Sequence, residues 1–194
     1  LPVVFFDRMC EDIKAARVIT DDYESSYKAT RLLLERGCKR PAYLSISPNL
    51  SINQKREAGF LAAIKDAGTE TKAGEVIQCE GTDEMITGQL QHLLGKKNKP
   101  DGLIASVEKL VPPVYFACKE LGIRIPEDIR LIGFTNLTAS PILNPSLTTI
   151  TQPAFEIGNM AAALLFKGIE KSSFELSREK LIIPSQLQIR DSTR

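Results

Sequence analysis

Arg130-Leu131-Ile132-Gly133-Phe134-Thr135-Asn136, followed after a polar, turn-rich passage by Leu147-Thr148-Thr149-Ile150-Thr151-Gln152-Pro153, is the stretch from which the fold is read. The first apolar run is stopped by Asn136 and the second, β-branched run by Pro153, so both read as buried strands. The residues that follow the first run therefore sit at a strand end. In open α/β sheets ligands bind just beyond the carboxyl ends of the strands, which places Thr135 and Asn136 where a small molecule can be met. Closing a turn is an equally simple reading of the same two residues.

Outward from that stretch, strand and helix signals alternate. Val3 to Phe6 reads as a strand buried on both faces, and Val18 to Thr20 as a second one. Asp22 is expected to cap a helix with Tyr23, Tyr27, Thr30 and Leu34 on one face, ended by Gly37. Ala42 to Ile46 is a strand whose polar exit leads to a helix with the stripe Phe60, Ala63, Ile64 and Ala67. Glu75 to Cys79, a helix from about Asp83 to Leu94, Leu103 to Ala105, and a helix begun by Pro112 and Pro113 continue the pattern. A long helix leads from Pro153 to Gly168, and Leu181 to Ile189 is a final extended segment interrupted by Pro184. Such alternation implies right-handed crossovers and a parallel sheet with helices on both faces.

A chain of 194 residues can bury one substantial core or two small ones. With 43% hydrophobic and 25% charged residues, and no apolar run near the roughly 18 residues of a membrane span, no membrane partner is expected. The net charge of +1 is spread along the chain, so no DNA-binding footprint is expected in this segment. Cys10, Cys38, Cys79 and Cys118 are scattered and form no C-x-x-C pair, which argues against a zinc site and a redox motif and for reduced thiols in the cytoplasm. His92 lies off the apolar face of its helix. With no G-x-S-x-G, P-loop or G-x-G-x-x-G, and no metal or cofactor expected, the chain does not read as an enzyme.

Arg56 is the most informative charge. It lies on the apolar face of its helix, four residues before Phe60, and is expected in the first turn, where the macrodipole opposes a cation. A guanidinium held there is expected to point over the end of the sheet and grip a polar ligand, with Asn53 adding a donor and an acceptor. A salt bridge to a neighbouring acid is the competing reading.

Val3-Val4-Phe5-Phe6-Asp7-Arg8, Arg56-Glu57-Ala58-Gly59-Phe60, Lys119-Glu120-Leu121-Gly122-Ile123-Arg124-Ile125-Pro126-Glu127-Asp128, Leu131-Ile132-Gly133-Phe134, Leu147 to Pro153 and Arg190-Asp191-Ser192-Thr193 stand in one order. In that order and spacing the chain resembles the later portion of the effector-binding domain of LacI/GalR-type bacterial transcription regulators. The resemblance implies an α/β, periplasmic-binding-protein-like type I fold: two Rossmann-like, parallel-sheet subdomains, the first truncated, closing on a small effector. Residues 1–41 would be a remnant of the first subdomain and 42–151 the second. Residues 152–194 would be a crossover helix and extended segment shared by both. The implied effector is a sugar or sugar derivative, with Arg56, Asn53, Thr135, Asn136, Val107 and Tyr23 as its candidate contacts. Operator DNA would be met through a helix-turn-helix outside this chain, in a homodimer. With half of one cleft wall missing, this piece is not expected to bind effector at useful affinity.

Two departures from the family pattern stand out. Thr135 occupies a position usually held by aspartate, and Val107-Glu108 replaces a usual Asn-Asp. Both hint at an acidic or phosphorylated sugar facing Arg56. A transporter's sugar-binding protein and an enzyme on a Rossmann-like scaffold are the alternatives.

Overall fold

The computed structural model describes residues 2–7, 13–68, 74–171 and 174–194. Along them run β1 (Val4–Phe6), β2 (Ala16–Thr20), α1 (Asp22–Glu35), β3 (Pro41–Ser45), α2 (Ser51–Asp66), β4 (Glu75–Gln78), α3 (Asp83–Leu94), β5 (Gly102–Ala105), α4 (Val111–Glu120), β6 (Arg130–Phe134), β7 (Thr148–Thr151), α5 (Ala154–Glu170), β8 (Lys180–Ile183) and β9 (Gln186–Gln188). They form two sheets, β1-β2-β8 and β4-β3-β5-β6-β7-β9, parallel except for the antiparallel pair β7 and β9. The expected α/β architecture of two parallel-sheet units is present. No described helix is long and apolar enough to cross a membrane.

The larger sheet follows from runs with no solvent-facing side: every residue of β3 and β5 is buried. Alternation along the strands divides its side chains between two cores. Ala42, Leu44, Leu103, Ala105 and Leu131 meet Ile86 and Leu90 of α3 and Val114 of α4. Tyr43, Ile104, Ile132 and Phe134 meet Ala29 and Leu33 of α1 and Phe60 and Ile64 of α2. The smaller sheet packs Ala16 and Val18 on Ile157, Ala161 and Leu164 of α5.

Several expectations are corrected. β1 is not buried on both faces, because it lies at a sheet edge and leaves Val3 and Phe6 exposed. Asp22 is not a cap: Asp21 holds that position, and Asp22 is the first, buried residue of α1. The buried face of α1 runs through Asp22, Ser26, Ala29 and Leu33, displaced from the expected Tyr23 face. α1, which follows Thr20, packs in the core of the larger sheet. After residue 151, α5 and β8 serve the smaller sheet and β9 the larger.

Three crossovers therefore join the sheets, at Thr20–Asp22, Gln152–Pro153 and Pro184–Ser185, and they are bonded to one another. Gln152 Nε2 donates to Thr20 Oγ1 at 3.0 Å, and the Ser185 amide donates to an Asp21 carboxylate oxygen at 2.6 Å.

The chain end closes the larger sheet. Buried Ser192 donates its hydroxyl to the Leu131 carbonyl at 2.6 Å and accepts the Thr148 amide at 2.8 Å, joining β6 to the start of β7. Ser192→Ala strands both backbone groups, so urea denaturation is expected to show a loss of about 2 kcal/mol. An unchanged midpoint would mean that water replaces the hydroxyl.

Candidate functional site

Because β3, β5, β6 and β7 are parallel, their carboxyl ends open on one edge of the sheet. There Ile46, Leu50, Ile52, Arg56, Val107, Glu108, Phe134, Thr135, Asn136 and Gln152, joined by Asp7 from the exit of β1, enclose a hollow of about 260 Å³. That is slightly below the usual range of small-ligand sites, which begins at roughly 300 Å³. A hollow of about 300 Å³ between Tyr115, Arg124 and Pro145 has a similar size, but its residues flank the amino ends of β6 and β7.

Arg56 is 3% exposed. Its Nε donates to Asp22 Oδ1 at 2.8 Å, its Nη1 donates to the Ser106 carbonyl at 2.6 Å, and its guanidinium lies 4.0 Å from the centre of the Phe134 ring. Both readings of this residue thus apply, since it forms a buried salt bridge and also lines the hollow. α2 begins at Ser51, so Arg56 stands in the second turn rather than the first. Burial pushes the Asp22 carboxyl above its ordinary range, and the Arg56 guanidinium opposes that shift. The other Asp22 oxygen accepts from Thr20 Oγ1 at 3.0 Å.

Thr135 and Asn136 also line the hollow. Thr135 donates its hydroxyl to the Glu108 carboxylate and accepts the Leu137 amide at 2.8 Å. Asn136 pairs with the Gln152 backbone, Nδ2 donating to the carbonyl at 2.7 Å and Oδ1 accepting the amide at 2.8 Å. Asn136, Gln152, Thr20, Asp22 and Arg56 are thereby linked in one polar chain around the hollow and through two crossovers.

Of the six candidate residues, Arg56, Val107, Thr135 and Asn136 share the hollow. Asn53 does not reach it. It is buried, with Oδ1 accepting from the Tyr43 hydroxyl at 3.0 Å and Nδ2 donating to Ser45 Oγ at 2.8 Å and the Ser47 carbonyl at 2.9 Å. Its amide ties α2 to the exit of β3. Tyr23 is 41% exposed and is not among the residues lining the hollow, because the buried face of α1 is turned away from it. Asp7, Glu108, Gln152 and Phe134 line the hollow but are not among the contacts expected from the sequence. The strand-exit rule, applied to β1, β5 and β7 as well as β6, would have pointed to the first three.

Cys38, Cys79 and Cys118 are buried free thiols pushed up to about 11 by burial, which leaves them unreactive near neutral pH; Cys10 lies outside the described residues. The exchange at position 135 does not empty the hollow of carboxylate, since Glu108 arrives from the next strand.

A parallel sheet with a polar hollow past its carboxyl edge, joined by three bonded crossovers to a second sheet that adds Asp7, defines the class of two-lobed small-molecule receptor domains. Residues 30–193 match the periplasmic binding protein-like domain family, and the chain belongs to it, as an effector-binding domain of the LacI/GalR type. It is 27% identical to catabolite control protein A of Priestia megaterium, over 91% of this chain and 53% of that protein. It is also 27% identical to the ribose operon repressor of Halalkalibacterium halodurans, over 100% of this chain and 57% of that one. A LacI-family regulator from Enterococcus faecalis, solved with bound ribose, superposes with a TM-score of 0.86 at 26% identity, covering 98% of this chain and 68% of the other. The chain spans about half the length of the curated relatives it matches.

Proposed function

We propose that the chain is the effector-sensing part of a cytoplasmic, homodimeric, DNA-binding transcription regulator. A sugar or sugar derivative enters the hollow against Arg56, Val107, Thr135 and Asn136, and operator DNA is met by a part of the protein outside these residues. The observation that carries this reading is the convergence of groups from both sheets on one hollow: Asp7 from the smaller, and Arg56, Thr135 and Asn136 from the larger. A ligand touching both walls binds some relative positions of the lobes better than others, and only that difference in affinity can shift DNA binding. The repressor names of the relatives, and the ribose in one structural neighbour, support a regulator rather than an enzyme or transport receptor.

The test is the affinity of the intact protein for DNA upstream of its own gene, by gel shift, with and without saturating D-ribose or the best-binding member of a sugar panel. A change of about 5–150-fold is expected. Equal affinity in the presence of a ligand shown to bind would contradict the regulator reading.

A further inference from the structure

We infer that Glu108, rather than Thr135, supplies the hydrogen-bond acceptor that selects the effector, and that it selects an uncharged polyhydroxy compound. This rests on the hollow being the effector site.

A threonine hydroxyl has one proton to give and two lone pairs to offer. In Thr135 the proton goes to the Glu108 carboxylate, and one lone pair takes the Leu137 amide at 2.8 Å. Thr135 is therefore unable to donate to a ligand without releasing Glu108, and it has a single acceptor site left. Glu108 is the opposite case. It follows β5 at the start of a short turn, is exposed, and lines the hollow. A carboxylate offers about four acceptor sites, and the bond to Thr135 uses one. That bond also fixes the carboxylate before any ligand arrives, so less side-chain freedom is lost on binding.

Arg56 lines the same hollow, with Nε and Nη1 committed to Asp22 and Ser106 and Nη2 without a hydrogen-bond partner among the described residues. An acceptor and a donor lining one hollow suit a ligand that is both at once, as a hydroxyl is. An anionic ligand suits them badly. Among the described lining residues the charged groups are Asp7, Glu108 and Arg56, and the guanidinium is already matched by Asp22. A phosphate or carboxylate would face two like charges with no uncommitted cation among the described lining residues to offset them. The acidic or phosphorylated sugar expected from Thr135 alone thereby loses its ground.

Titration calorimetry of the intact protein with D-ribose and with D-ribose 5-phosphate tests this. The unaltered protein should bind ribose at least ~10-fold more tightly than the phosphate, by the loss expected of an uncompensated charge contact. Glu108→Gln should weaken ribose binding by about 10–100-fold, the range for a hydrogen bond to a charged group, and should narrow the discrimination against the phosphate. Adding Thr135→Asp to Glu108→Gln should bring ribose affinity back to within about threefold, because a carboxylate returns at the adjoining strand end; a merely structural role for Glu108 gives no such rescue. Thermal denaturation should show Glu108→Gln folded, as befits an exposed residue. Ribose affinity unchanged in Glu108→Gln, or tighter binding of the phosphate, would overturn the inference and leave the receptor reading standing. Failure of the unaltered protein to bind ribose or any other pentose or hexose would bring down the receptor reading and the Glu108 assignment with it.

Discussion

Arg56→Ala is expected to destabilise the folded protein by about 3–5 kcal/mol at neutral pH, the usual result of removing one partner of a buried ion pair. Three things are lost together: the partner of Asp22, the donor to the Ser106 carbonyl, and the cation over Phe134. The first dominates, because an uncompensated buried carboxylate is costlier than a lost contact. The sign of the pH dependence follows. Burial already raises the Asp22 carboxyl above its ordinary range, with Arg56 pulling it back, so without Arg56 it rises further. A carboxyl whose folded pKa exceeds its unfolded value favours the folded state at low pH, and that contribution disappears as the pH climbs through the folded pKa. The deficit of Arg56→Ala should therefore be largest at neutral pH and shrink on acidification towards about pH 4, as read by urea denaturation across that range. A deficit independent of pH would assign the loss to packing instead.

Stability and ligand contact are separable in the same residue. Replacing the pair together, as Asp22→Leu with Arg56→Met, removes both charges and should recover most of the stability, since buried ion pairs are often no better than apolar residues of similar volume. Ligand binding should not return, because the guanidinium lining the hollow is gone.

Gly59→Ala is expected to cost about 3 kcal/mol or more, at the upper end of overpacking effects. A Cβ at Gly59 would lie 2.2 Å from the Tyr23 carbonyl oxygen, 3.0 Å from its carbon and 3.1 Å from the Tyr27 amide nitrogen. All three are backbone atoms, so no side chain can swing aside and α1 must move away from α2. Asp22 opens α1 and is bonded to Arg56 of α2, so the same movement should loosen the guanidinium and weaken ligand binding. The control is Gly88→Ala in α3, where nothing lies within 4 Å of the added carbon. There alanine should stabilise by about 0.5–1 kcal/mol through helix propensity alone. Equal urea midpoints for the two variants would contradict the close approach of α1 to α2.

The contrast between these glycines shows what local sequence carries. Both lie in helices and neither has a positive φ, so nothing within a few residues distinguishes them; Tyr23, the residue that does, is 36 positions from Gly59. Elements fixed by near neighbours were readable. α3 runs over Asp83–Leu94 as expected, with Thr82 accepting the Met85 amide and acids in its first turn. β5 and β6 were visible as continuous apolar runs. Long-range pairings were not readable. An acid before a helical pattern usually caps it, so local rules make Asp22 a cap, whereas its partner Arg56 lies 34 residues away. Leu181 to Ile189 showed only extended character with a proline in it, and nothing local says that β8 and β9 enter different sheets.

The hollow divides in the same way. Thr135, Asn136 and Arg56 were legible because a strand exit and a cation on an apolar helix face are local signals. Asn53 carried a similar signal, but its amide is consumed by Tyr43, Ser45 and Ser47, partners that only the folded sheet brings near. Glu108 meets Thr135 across 27 residues, so the exchange at 135 looked like the loss of an acceptor when it is a relocation.

The most direct measurement is a crystal structure of the intact protein grown with D-ribose. The sugar is expected between the two sheets, its hydroxyls within hydrogen-bond reach of the Arg56 guanidinium and the Glu108 carboxylate, beside the Phe134 ring. A sugar bound on another surface, with water alone between Arg56 and Glu108, would contradict the assignment of this hollow as the sensing site.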